Sequence, residues 1–332
     1  MLEFSMIHAE SRRHALERWL GAELRGERFS LTPASEDASF RRYFRATLDN
    51  GTSFVAMDAP PDKEDCRPFV RVAGLLREAG VHAPEVHAQD LAQGFLLLSD
   101  LGTRTFLDVL TSENAAQLFS DATDALVRWQ RASRPGELPP YDEALLRREM
   151  QLFPDWYVAR HLGVELTPAQ KDRLEGTFAL LVKSALAQPQ VYVHRDYMPR
   201  NLMLSDPNPG VIDFQDAVTG PITYDMVSLV RDAFLSWPEE PLLDWTVRYW
   251  EKAKRAGLPV DPDFGEFWRA FEWMGLQRHL KVLGIFARIN YRDGKSKYLV
   301  DTPRFIAYVR DVSRRYSALV PLSRLMDELG CG

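Results

Sequence analysis

A short β-rich island inside an otherwise helical C-terminal half constrains this chain more than any other feature. It reads Val191-Tyr192-Val193-His194-Arg195-Asp196-Tyr197-Met198-Pro199-Arg200-Asn201-Leu202-Met203-Leu204, then a Pro- and Gly-containing turn at 206–210, then Val211-Ile212-Asp213-Phe214. Apolar runs on both sides of a turn predict a hairpin. Asp196 follows a strand, Asn201 stands five residues on, and Asp213 closes the second run. Phosphoryl transfer needs a group that faces the acceptor hydroxyl and takes its proton. It also needs hard oxygen ligands that hold Mg²⁺ against the phosphates. Asp196, Asn201 and Asp213 have that order, and His194 to Asn201 fits the pattern H-R-D-x-x-x-x-N. A lone H-R-D tripeptide means little. The pattern counts here because the spacing, the flanking strands and the hairpin occur together.

The rest of the chain is read around that island. Glu10 to Leu24 has Leu16, Trp19, Leu20 and Leu24 on one helical face. Phe40 to Leu48 and Ser53 to Met57, joined through Asp49-Asn50-Gly51, predict a β-hairpin. A helix over Glu64–Ala79 follows, stopped by Gly80, and then two strands, Glu85–Ala88 and Gly94–Leu98. Beyond Ser99-Asp100-Leu101-Gly102 the pattern turns helical: Phe106–Ser133, Tyr141–Leu162 with a kink at Pro154, Pro168–Ala187, and most of the chain from Asp225 on. The expected division is a nucleotide-binding lobe over 1–98, a hinge over 99–102, and a helical lobe over 103–332 that holds the island.

Composition excludes several classes. Lys and Arg number 41 against 47 Asp and Glu, a net charge of −6 that argues against a nucleic-acid binder. No apolar run approaches the length that spans a bilayer, and no secretory signal is evident, so a cytoplasmic location without membrane partners is expected. Two cysteines, Cys66 and Cys331, make neither a disulfide framework nor a zinc site alone.

The segments Ala38 to Arg45, Met57-Asp58-Ala59-Pro60-Pro61, His194 to Met203 and Ile212 to Pro221 carry a family likeness. The chain resembles the aminoglycoside phosphotransferase-like small-molecule kinases over about Phe29 to Leu299. Within that family it is most similar to the branch that phosphorylates the anomeric hydroxyl of N-acetylmuramate and N-acetylglucosamine in bacterial cell-wall recycling. The resemblance implies an α+β, protein-kinase-like bilobal fold. A small N-terminal antiparallel β-sheet lobe with helices would precede a larger, mainly helical C-terminal lobe. It implies ATP and Mg²⁺, a small sugar substrate, and a monomer. By the same resemblance Asp196 is the base, Asn201 and Asp213 bind Mg²⁺, and Asp225 accepts backbone N–H groups of the catalytic loop. His194 packs and hydrogen-bonds, Arg200 meets substrate or the transferring phosphate, and Ser99, Asp100 and Leu101 form the hinge toward adenine.

The departures are specific. Thr32 to Phe44 contains no glycine, and Val55-Ala56-Met57-Asp58 has Asp where protein kinases have the Lys of V-A-I-K. The phosphate cation comes from elsewhere, or the enzyme works without it. Arg41 and Arg42 are the nearest candidates, with Lys63 weaker; alternation along a strand allows one of the two arginines, not both. Only about a dozen residues separate Asp213 from Asp225, too few for an activation segment ending in A-P-E, so a small acceptor is expected. Phe267 to Asp301 holds seven Lys and Arg against three Asp and Glu, which suits an anionic acceptor better than a cationic aminoglycoside. Arg278 and Arg288 are the candidates there, about 80° apart on a helix, with His279 assisting or packing. Trp156, Tyr157, Tyr224 and Trp273 are candidate sugar platforms, and Glu149, Arg160 and His161 are candidates for sugar hydroxyls. The rival readings are a kinase of another small alcohol (an aminoglycoside, a choline-like compound or homoserine) and a nucleotide-binding pseudokinase.

Overall fold

The computed structural model describes residues 2–36 and 40–331. Along the chain run α1 (Leu2–Glu23), β1 (Phe29–Glu36), β2 (Arg42–Leu48), β3 (Ser53–Asp58), α2 (Arg67–Glu78), β4 (Val86–Asp90), β5 (Phe95–Ser99), α3 (Phe106–Val109) and α4 (Ala115–Arg131). Then come α5 (Glu143–Met150), a π-helical segment Phe153–Leu162, α6 (Pro168–Ala187), β6 (Gln190–Val193), β7 (Leu202–Met203), β8 (Gly210–Val211) and β9 (Val218–Pro221). The remainder is helical: α7 (Tyr224–Val230), α8 (Glu239–Arg255), α9 (Phe264–Asp293), α10 (Thr302–Arg315) and α11 (Val320–Glu328). Among the described residues no helix is long and apolar enough to cross a membrane. The residues form two compact units, one of 1–109 with 200–216 and one of 110–199 with 217–332.

The first unit is built on an antiparallel sheet in the order β1-β2-β3-β5-β4. The β2–β3 hairpin turns at Asn50-Gly51, where Gly51 has φ +86° and its N–H reaches the Leu48 carbonyl at 2.9 Å. Strand alternation gives the sheet two faces. One face packs Phe44, Leu48, Ala56, Phe95 and Leu97 against Leu16 and Leu20 of α1 and Leu24 just past its end. The other presents Tyr43, Arg45, Val55 and Leu98 to a cavity. The sequence reading did not include β1. It is an edge strand carrying Pro33 at a register shift, where a missing N–H is tolerated. The island hairpin β7–β8 belongs to this unit. Val211 N–H donates to the His82 carbonyl at 2.7 Å, Leu204 N–H donates to the Arg104 carbonyl at 2.9 Å, and Phe214 packs on Phe69 at 4.7 Å between ring centres. A boundary at 99–102 would put this hairpin with the helices; these bonds tie it to the sheet unit.

In the second unit β6 pairs with β9, and α9 runs through the middle of the helical packing. Gly284 of α9 lies so close to the chain at Leu152 that a Cβ there would stand 2.3 Å from the Leu152 carbonyl carbon. The single helix expected over Phe106–Ser133 is broken, because Asn114 Oδ1 accepts from Thr111 N–H at 2.8 Å before α4. The kink expected at Pro154 is a full change of helix type. α5 stops at Met150, and Pro154, which has no N–H to donate, sits in the first turn of the π-helical segment.

Candidate active site

The cavity of the first unit measures about 300 Å³, the small end of the range for ligand pockets. Ser99, Asp100, Leu101, Arg200, Asn201 and Asp213, all singled out in the sequence, line it together with Arg45. Asn201 Nδ2 donates to Asp213 Oδ2 at 3.2 Å, and Gln215 Nε2 donates to Asp213 Oδ1 at 3.0 Å. Ile212 N–H closes the hairpin on the Asn201 carbonyl at 3.1 Å. Asp213 has φ +63°, a left-handed backbone that is costly for a residue with a Cβ and is found where a site fixes it. Among the described residues there is no cluster of three or more His, Cys, Asp or Glu side chains able to cage a metal. One amide oxygen and one carboxylate suit Mg²⁺, which takes few protein ligands and fills its shell from phosphates and water.

Asp100 is a structural carboxylate. It accepts from Arg45 Nε at 2.5 Å and Nη2 at 3.0 Å, from Ser53 Oγ at 2.8 Å and from Gly102 N–H at 3.0 Å. Burial pulls its pKa upward, but these donors hold it below the usual carboxylate range. Ser99 Oγ accepts from Glu85 N–H at 2.9 Å, which fixes the strand end at the cavity mouth.

The two candidate arginines separate. Arg42 alternates with Phe44 and therefore lies on the α1 face. Its guanidinium pairs with fully buried Asp58, as does that of Arg12 from α1 at 2.9 Å through Nε. The expectation that Arg42 meets the nucleotide is corrected: strand parity turns it away from the cavity.

The second unit holds Asp196. His194 and Arg195 N–H groups donate to Asp225 Oδ2 and Oδ1 at 2.7 and 3.0 Å. Arg195 is left-handed, φ +76°, and the fully buried Asp225 carboxylate is what holds that turn. Burial pushes the Asp225 carboxyl up to about 7, against the pull of the two N–H donors. His194 is buried edge-on to Tyr197, and its Nδ1 accepts the Asp196 N–H at 3.2 Å. The ring is therefore a backbone partner in the loop.

A charged cluster lies under this loop. Glu149 of α5 meets Arg195 Nη2 at 2.5 Å and Lys281 Nζ of α9 at 3.0 Å through the same Oε1. Its other oxygen accepts from the Tyr141 hydroxyl and, at 3.4 Å, from Gln277 Nε2. Burial would raise the Glu149 pKa, yet the Lys281 and Arg195 charges overcome it and hold it at about 2. Lys281 also donates to the Tyr224 hydroxyl at 3.1 Å.

The expected sugar contacts fare differently. Tyr224 is fully buried edge-on to Tyr141, and His279 is fully buried and stacked on Tyr308 at 4.8 Å. Neither has a face to offer a sugar, and this corrects both. Burial and the Arg231 and Arg278 charges push the His279 pKa well down. Arg278 is only 2% exposed, which corrects the expectation of a cleft-bordering cation there. For His279 and Arg278 the reason is that the 276–287 stretch of α9 is enclosed on nearly every side; Tyr224, on α7, is fully buried as well. Arg288 and Trp156 are half-buried. Glu149 is spent on the cluster just described, not on a sugar. Lys281 had no assigned role in the sequence reading. Its signal was a lysine flanked by Leu280 and Val282, which needs a partner once those neighbours are packed.

Residues 30–260 match the Phosphotransferase enzyme family. The chain is 60% identical over 91% of its length to the N-acetylmuramate/N-acetylglucosamine kinase of Pseudomonas aeruginosa, covering 89% of that protein. It is 52% identical to the protein of the same name from Neisseria meningitidis, covering 95% of each chain. Among solved structures, an ADP-bound aminoglycoside phosphotransferase, APH(2'')-Ib, superposes with a TM-score of 0.59 at 14% identity, over 90% of this chain and 98% of that one. That likeness speaks for a shared protein-kinase-like α+β fold. With its matched length and these relatives, the chain belongs to the phosphotransferase enzyme family.

Proposed function

We propose that this chain transfers the γ-phosphoryl group of ATP to the anomeric hydroxyl of N-acetylmuramate or N-acetylglucosamine, as in the reuse of bacterial cell-wall sugars. The observation that carries the reading is an intact Asp196, Asn201 and Asp213 set in a chain 60% identical to a kinase named for those two sugars. Asp196 orients the hydroxyl and takes its proton. An anomeric hydroxyl is more acidic than an ordinary alcohol, so a carboxylate suffices as acceptor. Asp225 and His194 keep the Asp196 backbone in place through the bonds described above. Asn201 Oδ1 and the Asp213 carboxylate would hold Mg²⁺, which when bound neutralises charge on the phosphates. Arg200, an exposed residue that lines the cavity, would meet substrate or the transferring phosphate.

The test is ADP release from ATP and Mg²⁺ with N-acetylmuramate, N-acetylglucosamine or kanamycin, for the wild type and Asp196→Asn. Turnover on the amino sugars, lost in the variant, is expected. Turnover on kanamycin alone would move the assignment to antibiotic modification. Nucleotide binding with no transfer to any of the three would overturn the reading in favour of a pseudokinase or another acceptor.

A further inference from the structure

The cation that grips the nucleotide phosphates is missing from its usual strand. Along β3, Val55 lines the cavity, and Met57 shares its face; Ala56 and Asp58 lie on the α1 face. The position on the cavity side two residues past Val55 is therefore an uncharged methionine. Asp58 does not occupy it at all. A phosphate site with no cation would leave several negative charges uncompensated beside Asp213.

On β2 the cavity side carries Arg45 and Tyr43, and the same alternation carried back past the strand start reaches Arg41. Arg45 is occupied: both its Nε and Nη2 donate to Asp100, and Nη2 also donates to the Gly102 carbonyl at 2.8 Å. Arg41 is placed differently. Its side chain is 13% exposed, and its Nε stands 3.6 Å from Glu64 Oε2. Burial works against its charge, but Tyr43, Glu64, Asp213 and Asp216 together hold the guanidinium firmly protonated. Asp213 is the cavity carboxylate proposed above for Mg²⁺. The guanidinium thus lies within electrostatic reach of the carboxylate beside which the phosphates would sit, with a second carboxylate behind it.

We propose that Arg41 is the phosphate-gripping cation of this enzyme and that Glu64 is its positioning residue, a pair that does the work of the absent β3 lysine. A guanidinium presents two parallel N–H groups to phosphate oxygens, so it can grip two of them from one strand further away than a lysine stands. The inference rests on the nucleotide-binding half of the proposed function and not on the identity of the sugar.

The experiment is calorimetric titration of ADP and of adenosine into the wild type, Arg41→Met, Arg41→Lys, Glu64→Gln and Arg42→Met, with melting curves for each. Arg41→Met is expected to lose roughly 10- to 100-fold in ADP affinity, the worth of charge-assisted hydrogen bonds, while adenosine affinity holds within about twofold. Arg41→Lys should recover part of the loss. Glu64→Gln should raise KM for ATP and leave KM for the sugar unchanged. Arg42→Met should lower Tm and leave ADP affinity intact. Normal ADP affinity in a folded Arg41→Met, or the loss appearing in Arg42→Met instead, would overturn the assignment. So would a wild type that binds no ADP. A wild type that binds ADP but phosphorylates neither amino sugar would refute the proposed acceptor and leave the role of Arg41 standing.

Discussion

The Glu149 cluster offers a stability prediction whose size and sign both follow from geometry. Glu149 is nearly buried and carries two cations on one oxygen, Arg195 and Lys281. Replacing it with Gln keeps the shape but leaves two largely buried positive charges without a counter-charge. Breaking a buried pair in this way costs about 3–5 kcal/mol. The pKa gives an independent figure: a carboxyl that falls from 4.5 unfolded to about 2 folded contributes about 3 kcal/mol at neutral pH. Because the folded value is the lower one, that contribution is complete above about 4.5 and is lost as pH falls toward 2. The assay is urea unfolding of the wild type and Glu149→Gln at pH 7 and at steps down to pH 3. Asp225, whose folded pKa is raised, gives a slope of opposite sign, but it is common to both proteins and cancels in the difference. The gap between them should be about 3–5 kcal/mol at pH 7 and should narrow below pH 4.5. A gap under about 1 kcal/mol at pH 7, or one that does not change with pH, would refute the reasoning.

Gly284→Ala should destabilise, although Ala is the better helix former by about 1 kcal/mol, because its Cβ would meet the Leu152 backbone at 2.3 Å; a Tm at or above wild type would show that α9 can move aside. Gly94→Ala should be worse still, with φ +74° and a Cβ 1.8 Å from the Ala59 carbonyl oxygen, and thermal melting reads it directly. Asp225→Asn removes one of two acceptor oxygens under the loop, so either the His194 or the Arg195 N–H loses its acceptor; kcat should fall by about tenfold or more while KM for ATP holds. Chelating divalent metal should abolish ADP release without lowering Tm, since no metal cage supports the described fold.

What the sequence made legible was local. The Asn50-Gly51 hairpin, α2 and α6 lie close to where turn chemistry and periodicity put them. The order Asp196, Asn201, Asp213 named the candidate site because its chemistry depends on spacing along one short stretch. What stayed hidden was long-range. Glu149 pairs with residues 46 and 132 positions away, and a carboxylate on an apolar helix face does not say which cation will meet it. The basic run of α9 read as a cleft edge because periodicity reports a face, not what covers it; Arg278 and His279 are covered on all sides. Alternation separates Arg41 from Arg42, but only the structure shows that the face of Tyr43 and Arg45 lines the cavity while Arg42 meets Asp58 on the α1 side.

The discontinuity of the first unit has a consequence for how the protein comes off the ribosome. Its cavity needs Asn201 and Asp213, which arrive 90 or more residues after α3 is complete. At 5–20 residues per second, the sheet waits on the order of 10 s with the His82 carbonyl and the Phe69 ring lacking their hairpin partners. Throughout that interval the nascent N-terminal segment has a sheet and an unfinished cavity. Ligand can therefore favour its folding only after residue 216 has been synthesised, which makes the 109–200 interval the window in which a chaperone or a protease meets an incomplete unit.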